Sequence, residues 1–299
     1  LEIGDNLKFT NVEKKLRTQP GKKYSMLVPT WNNLPYLKNF LESVKTHSTF
    51  DHQIILLINE GSDGTYEWVK EHTDIDYVHC KENIGICYGL NICRSLIQTE
   101  YVLYANDDMY MLPGWDAELD KEVNKVGHKH FMISSTMIEP TDTRNPCVIV
   151  SDYGDDLSNF RKDALLNEFK SFPKQDWSGT TWPPNLMHID LWDAIGGMSI
   201  EFSPGMYSDP DLAMKLWMAG VRYFKGVASS RVYHYGSKST GRVKKNLGRK
   251  MFINKWGMSA KIFTGKYLKR GEPFSGELKD PEIKGSDELK NKFKRILNS

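Results

Sequence analysis

Cysteine is scarce. The four in 299 residues (Cys80, Cys87, Cys93 and Cys147) form no C-x-x-C pair, and their spacing suits no zinc site. Free thiols in a reducing compartment are the plain expectation. No N-x-S/T sequon occurs, and no charged-then-apolar leader opens the sequence. No run of 18 apolar residues exists, which argues against a membrane-spanning helix. Internal repeats and low-complexity blocks are absent as well. These absences together lead us to expect a soluble, cytoplasmic protein.

What the sequence does contain suits an ordinary globular chain. Hydrophobic residues make up 39%, and there are 8 Trp, 14 Tyr and 13 Phe. The length fits one large domain or two small ones. The net charge of +2 is unevenly spread. Residues 237–299 hold 17 basic and 6 acidic residues, a net of +11, and residues 1–236 hold 23 and 32, a net of −9. A mildly acidic body carries a basic tail. No nucleic-acid-binding motif accompanies that tail, so no nucleic-acid partner is expected.

Residues 1–22 are polar, and RTQPGKK (17–23) reads as a linker. From there, apolar runs and helical periodicities alternate. KYSMLVPT (23–30), HQIILLINE (52–60), DYVHC (76–80) and YVLYA (101–105) read as strands. LPYLKNFLESVKTHS (34–48), TYEWVKEH (65–72) and GICYGLNICRSLIQ (85–98) read as helices. Four alternations at this spacing predict a Rossmann-like, mostly parallel α/β sheet flanked by helices. Further on, a strand is expected over 130–139 and a long loop with some helix over 151–179. A helix is expected over 187–197, and another over 209–220 with Asp209 as N-cap and Pro210 at the first position. VRYFKG and SRVYHYG read as two strands.

In such sheets, ligands bind beyond the carboxyl ends of the strands. Thr30-Trp31-Asn32, Asn59-Glu60-Gly61-Ser62 and Asn106-Asp107-Asp108 all follow strands, so three polar clusters are expected to converge on one edge. The segment YVLYANDDMYMLPGW (101–115) sets two adjacent carboxylates at a buried strand end. Such a pair is costly unless positive charge sits against it. A divalent cation is the economical answer, since hard oxygen ligands suit magnesium or manganese, which often bridge protein to phosphate. The plainer alternative is that Asp107 and Asp108 cap the next segment or face water.

The order TWNN, NEGSDGTYE, ENIGICYGLN, YANDDM, LPGW, GMYSDPDLAMKLWMAG, RVYHYGS resembles the inverting family 2 glycosyltransferases of the GT-A fold. The resemblance runs from residue 23 to 257, about four-fifths of the chain. It implies a GT-A catalytic domain over 23–236, with a nucleotide-binding half at 23–110 and an acceptor half at 111–236. An N-terminal extension (1–22) and a helical basic C-terminal extension (237–299) flank it. By this resemblance, Pro29, Thr30, Asn32 and Glu60 border the base and ribose. Asn83, Gly85 and Asn91 border the nucleotide, and Asn106 and Asp107 the diphosphate. Asp108 and His234 hold Mn2+ or Mg2+. Asp209 is the general base, with Asp211 in reserve.

The implied reaction moves a sugar from a nucleotide-diphospho sugar, UDP by default, to an acceptor hydroxyl with inversion. A glycan or lipid-linked glycan is the acceptor, as in polysaccharide biosynthesis. The sequence departs from the family pattern at Asn59-Glu60, where Asp-Asp is usual, at Asn106, and at Ser208, where Glu precedes the base. These departures keep a second reading open, a non-catalytic domain of the same fold that binds a nucleotide or glycan. A sugar nucleotidyltransferase is disfavoured, because VPTWNN (28–33) stands where a glycine-rich loop is needed.

Trp182 and Ser208 are placed on the acceptor side, although a Trp there packs into a core equally well. RKMFINKWG (249–257) resembles the aromatic helix that closes such cores. DELKNKFKRILN (287–298) sets Leu289, Phe293, Ile296 and Leu297 on one helical face beside four basic residues. It packs on its own domain, makes peripheral membrane contact or docks on an anionic acceptor. GRVKKNLGRK (241–250) is a further basic segment near the donor.

Overall fold

A computed structural model describes residues 12–236, 242, 246–282 and 285. The described residues form one eleven-stranded mixed sheet with helices on both faces. Its first half alternates as expected: β1 (Val12–Lys15), β2 (Ser25–Trp31), α1 (Leu34–His47), β3 (Gln53–Asn59), α2 (Thr65–Lys70), β4 (Asp76–Cys80), α3 (Gly85–Cys93) and β5 (Tyr101–Tyr104). The second half holds β6 (Met109–Met111), α4 (Trp115–Val126), β7 (Phe131–Glu139), β8 (Ile149–Val150), α5 (Lys162–Glu168), β9 (Trp177–Ser178) and β10 (Asn185–His188). It continues with α6 (Ile189–Ile195), α7 (Ser208–Met218), β11 (Tyr223–His234), α8 (Gly248–Trp256) and α9 (Ala260–Ile262). The strand order is β1-β4-β3-β2-β5-β10-β7-β11-β6, with β8 on β7 and β9 on β11.

Strand periodicity divides the core into two layers. Leu27, Ile55, Leu57 and Val78 point to the face covered by α3, α6, α7 and α8. Met26, Val28, Ile54, Leu56 and Ile58 point to the opposite face, where α1 and α4 bring Leu37, Phe40, Trp115 and Leu119. Strands buried on both faces need continuous apolar runs, and QIILLIN supplies one, with all seven residues buried. A third cluster, with Tyr110, Tyr153, Leu165 and Tyr233, lies under the 151–172 loop region. The C-terminal extension joins the first layer through Phe252, Phe263, Leu268 and Leu278.

Four local readings differ from expectation. The polar N-terminal stretch contributes β1, which pairs antiparallel with β4; the RTQPGKK segment after it is irregular, as expected, yet Arg17 N and Thr18 N both donate to the buried Asp76. The helix expected over 187–197 begins with a strand, because Asn185–His188 finds open edges on both β5 and β7. VRYFKG and SRVYHYG form a single strand, β11, whose register with β7 shifts between Val227 and Arg231. Ser135 and Ser230 hydrogen-bond across this bulge at 2.6 Å. Finally, Asp209 is not an N-cap: α7 starts at Ser208, and its N-cap is Tyr207 at φ 70°. The expected 287–298 helix lies outside the described residues, as do 237–241 and 243–245 of the basic segment.

Candidate active site

β4, β3, β2 and β5 run parallel; β10 is antiparallel to β5 and β7, which aligns β7 and its parallel partner β11 with them. Six strands therefore end on one edge, where a cleft of about 770 Å³ opens. Its lining includes Thr30 near the end of β2, Asn59 at the end of β3, Asn106–Asp108 after β5, Glu139 ending β7 and His234 ending β11. The three expected polar clusters do converge here, with Asn59 rather than Glu60 as the residue of the second cluster on the cleft wall.

Topology explains why Asp108 meets His234. After β5 the chain reverses into β6, which pairs antiparallel with β11 in the register Met109 opposite His234. The residue before Met109 thus lands beside the imidazole: Asp108 Oδ1 is 3.5 Å from His234 Nε2. His234 Nδ1 is 2.9 Å from Glu139 Oε1, on the neighbouring β7. Burial opposes a charge on His234, but Asp108 and Glu139 outweigh it and raise its pKa to about 10. Burial, then the Asp108 charge, push the Asp107 carboxyl up to about 7, against the pull of Thr30, Asn33 and Arg242.

Asp108, His234 and Glu139 form a carboxylate–imidazole–carboxylate row. A carboxylate oxygen faces an imidazole nitrogen whose other nitrogen is held by a carboxylate, the arrangement that orients metal-binding histidines. Among the described residues no group of three or more His, Cys, Asp or Glu side chains could hold an ion by itself. Asp108 and His234 make a two-ligand corner that fits a divalent ion sharing its remaining positions with phosphate oxygens and water.

The wall expected to face a nucleotide includes Pro29, Thr30, Trp31, Asn83 and Gly85. Asn59 Oδ1 accepts from Ile84 N at 3.0 Å and Asn83 Oδ1 from Gly85 N at 2.9 Å, which fixes the turn into α3. Gly85 is required there: its φ is +76°, and a Cβ would sit 2.7 Å from Pro204 Cα. The Arg242 guanidinium lies over Trp31, 4.7 Å from the ring centroid, and its Nη2 donates to Trp31 O at 2.7 Å.

Asp209 enters from the first turn of α7. Its Oδ1 is buried without a hydrogen-bond partner. Burial pushes the carboxyl up to about 7, although a helix N-terminus by itself favours the ionised form. Asp211, two residues on, is turned away from the cleft: Oδ1 accepts from Trp256 Nε1 at 2.7 Å and from Lys255 Nζ at 3.0 Å, tying α7 to α8.

Trp182 lines the cleft, as do Asn106 and Asp107. Asn32, Glu60, Asn91 and Ser208 are not on its wall. Asn32 Nδ2 donates to Glu60 Oε2 at 3.0 Å, and both residues have left-handed backbones, at φ 46° and 60°. Asn91 brackets the main chain of Met198 with two hydrogen bonds of 2.8 and 2.7 Å. The Ser208 hydroxyl donates to Gly205 O at 2.6 Å.

Sequence reasoning missed Glu139, Arg144, Lys261 and Arg270, all on the cleft. Glu139 ends the strand read at 130–139, so the strand-end rule itself would have found it. The basic tail was noted, yet nothing local says that Lys261 and Arg270 turn back to the sheet edge.

The sheet order and the polar strand-end edge define the GT-A class of α/β fold. Residues 25–167 match the family model described as Glycosyl transferase family 2. The match takes in the donor-side clusters and Asp108 and stops short of Asp209 and His234. Among solved structures, the chain is similar to Staphylococcus aureus TarS 1–349, with a TM-score of 0.55 and 11% identity over 92% of this chain and 71% of that one. For the TarS 1–349 complex with UDP-GlcNAc, the TM-score is 0.51 and the identity 14%, over 73% and 62% of the two chains. GalNAc-T7 with UDP, GalNAc and Mn2+ gives a TM-score of 0.57 and 12% identity, over 92% of this chain and 54% of that one. At these identities the likeness is one of fold. No curated protein sequence matches the chain.

Proposed function

We propose that the chain is a glycosyltransferase, moving a sugar from a nucleotide-diphospho sugar to an acceptor hydroxyl with inversion. One observation carries this reading: Asp108, His234 and Asp209, from three separate parts of the chain, reach one cleft, and the last has an unpartnered carboxylate oxygen. The family match over residues 25–167 supports it, and the nucleotides named for TarS and GalNAc-T7 make UDP the first donor to try.

In this mechanism Pro29, Thr30 and Trp31 bind the nucleotide, with Asn83 and Gly85 shaping the wall beside it. Asp108 and His234 would hold Mn2+ or Mg2+, which when bound neutralises charge on the departing diphosphate. Glu139 holds the His234 ring with Nε2 toward Asp108. Asp209 accepts the proton of the acceptor hydroxyl as that oxygen attacks the anomeric carbon opposite the leaving group. Its pKa near 7 suits a general base at neutral pH. Asp211 takes the role of a positioning residue through α8, and Ser208 secures the turn that presents Asp209. Trp182 is assigned to the acceptor side.

Calorimetric titration with UDP, GDP and dTDP, each with and without Mn2+, tests the reading. One nucleotide should bind, and only with the metal, and its sugar derivative should then be slowly hydrolysed. Metal-dependent binding without hydrolysis for any sugar donor would favour the non-catalytic reading. No binding of any of the three would remove the assignments of Asp108 and Asp209.

A further inference from the structure

One wall of the cleft holds three cations that the transfer mechanism does not use. Arg144 follows β7, Lys261 lies in α9, and Arg270 comes just after the C-terminal helical segment; all three line the cleft. Close packing brings their segments together: Gly271, at φ +83°, lies so near Pro146 that a Cβ there would sit 2.5 Å from the proline side chain. Lys261 and Thr264, three positions apart, both face the cleft. The Arg270 guanidinium lies 4.6 Å from the Trp182 ring centroid, on the side assigned to the acceptor.

Among the described residues, none of the three forms an ion pair with a carboxylate. Two other cations near the core are paired with carboxylates: Lys225 reaches Glu122 at 2.7 Å and Asp176 at 2.8 Å, and Lys255 reaches Glu201 at 2.8 Å and Asp211 at 3.0 Å. The donor wall has a guanidinium of its own in Arg242, over Trp31. The cleft also carries Asp107, Asp108, Glu139 and Asp209, which would repel an anionic acceptor left uncompensated.

We infer that the acceptor is anionic, bearing a phosphate or carboxylate group close to the hydroxyl that receives the sugar, and that Arg144, Lys261 and Arg270 receive this group. The inference rests on the transferase reading above. Guanidinium forks suit such oxyanions.

The test is a saturation-transfer NMR titration of glucose, glucose 6-phosphate and glucuronate against the protein held saturated with UDP and Mn2+, so that the diphosphate site is filled. At least one charged probe should bind about tenfold or more tighter than glucose, and weaken as salt rises from roughly 50 to 500 mM. Whichever charged probe binds better identifies the anion as phosphate or carboxylate. Arg144→Gln combined with Lys261→Gln, both at exposed positions, should erase the preference and leave UDP affinity within about twofold. Equal binding of all three probes would overturn the inference. So would a variant that loses UDP affinity as much as probe affinity, because the cations would then serve the donor. Failure of UDP to bind the unmodified protein would instead overturn the transferase reading, and this inference with it.

Discussion

Asp209 is where the electrostatics and the proposed chemistry bear on each other most directly. Its carboxyl titrates near 7 in the fold, against an ordinary value of 3.8, because burial penalises the charge. Between these values the folded state binds more protons than the unfolded one, so stability falls as pH rises through this window and is level above it. Asp209→Asn removes the buried charge. It should raise the melting temperature at pH 8 and leave it nearly unchanged at pH 4. The same substitution should cost about 10²–10⁴-fold in turnover with UDP affinity retained. If the transferase reading holds, kcat/KM of the unmodified protein should rise with pH through a limb near 7; a profile flat from pH 5 to 8 would exclude Asp209 as the base. Glu139 makes a separate prediction. Glu139→Gln keeps the side chain's size and loses its charge, so Mn2+ affinity in the presence of UDP should drop by about 10–100-fold, read by calorimetry. Unchanged affinity would mean that Glu139 does not support a metal-binding His234.

At the scale of elements, the position of α7 depends on α8. Asp211 is fully buried, and the Trp256 indole and the Lys255 ammonium meet its Oδ1. Trp256→Phe removes one donor and leaves the ring volume nearly filled. It should destabilise the protein by about 1–3 kcal/mol in urea unfolding, because a buried carboxylate loses a partner. If α8 also sets where Asp209 stands, kcat should fall in this variant with little change in UDP affinity. A loss of stability alone would limit Trp256 to packing. The βα alternation was legible at this scale because each run carries its own signal. SMLVPTW and QIILLIN are unbroken enough to be strands, and LPYLKNFLESVKTH has its apolar residues at helical spacing. β10 and the continuous β11 were not legible. Asn185–His188 is extended because two neighbouring strands offer it hydrogen bonds, and β11 passes its bulge because Ser135, Thr136 and Ser230 satisfy the polar groups there.

For the molecule as a whole, the N-terminal stretch is part of the sheet. β1 covers the edge of β4, and Asp76, fully buried, receives Arg17 N at 2.6 Å, Thr18 N at 2.8 Å and Gln53 Nε2 at 2.6 Å. Deleting residues 1–18 should strip two of these donors and lower stability by several kcal/mol, at about 1–3 for each donor lost. It should also expose β4 as an edge strand and promote association, seen by light scattering. A truncated chain as stable and monomeric as the parent would show that the edge needs no cover. The segment 252–278 is similarly engaged, since Phe252, Phe263 and Leu278 lie in the core shared with α3 and α7. Among the described residues no helix is long and apolar enough to cross a membrane.

The sequence by itself determined the parallel α/β frame and the edge on which polar strand ends gather, because strands alternating with helices are joined by crossovers that keep them parallel, and the residues ending each strand are local. The resemblance to the family 2 glycosyltransferases pointed to Asp108, Asp209 and His234 one at a time. The tertiary structure alone decided that Asp108 and His234 face each other, since that contact needs β6 to fold back along β11 in one register. It likewise decided that Glu139 holds the imidazole and that Arg144, Lys261 and Arg270 share a wall. Pairing and packing join residues far apart in the chain, and no short stretch of sequence carries that information.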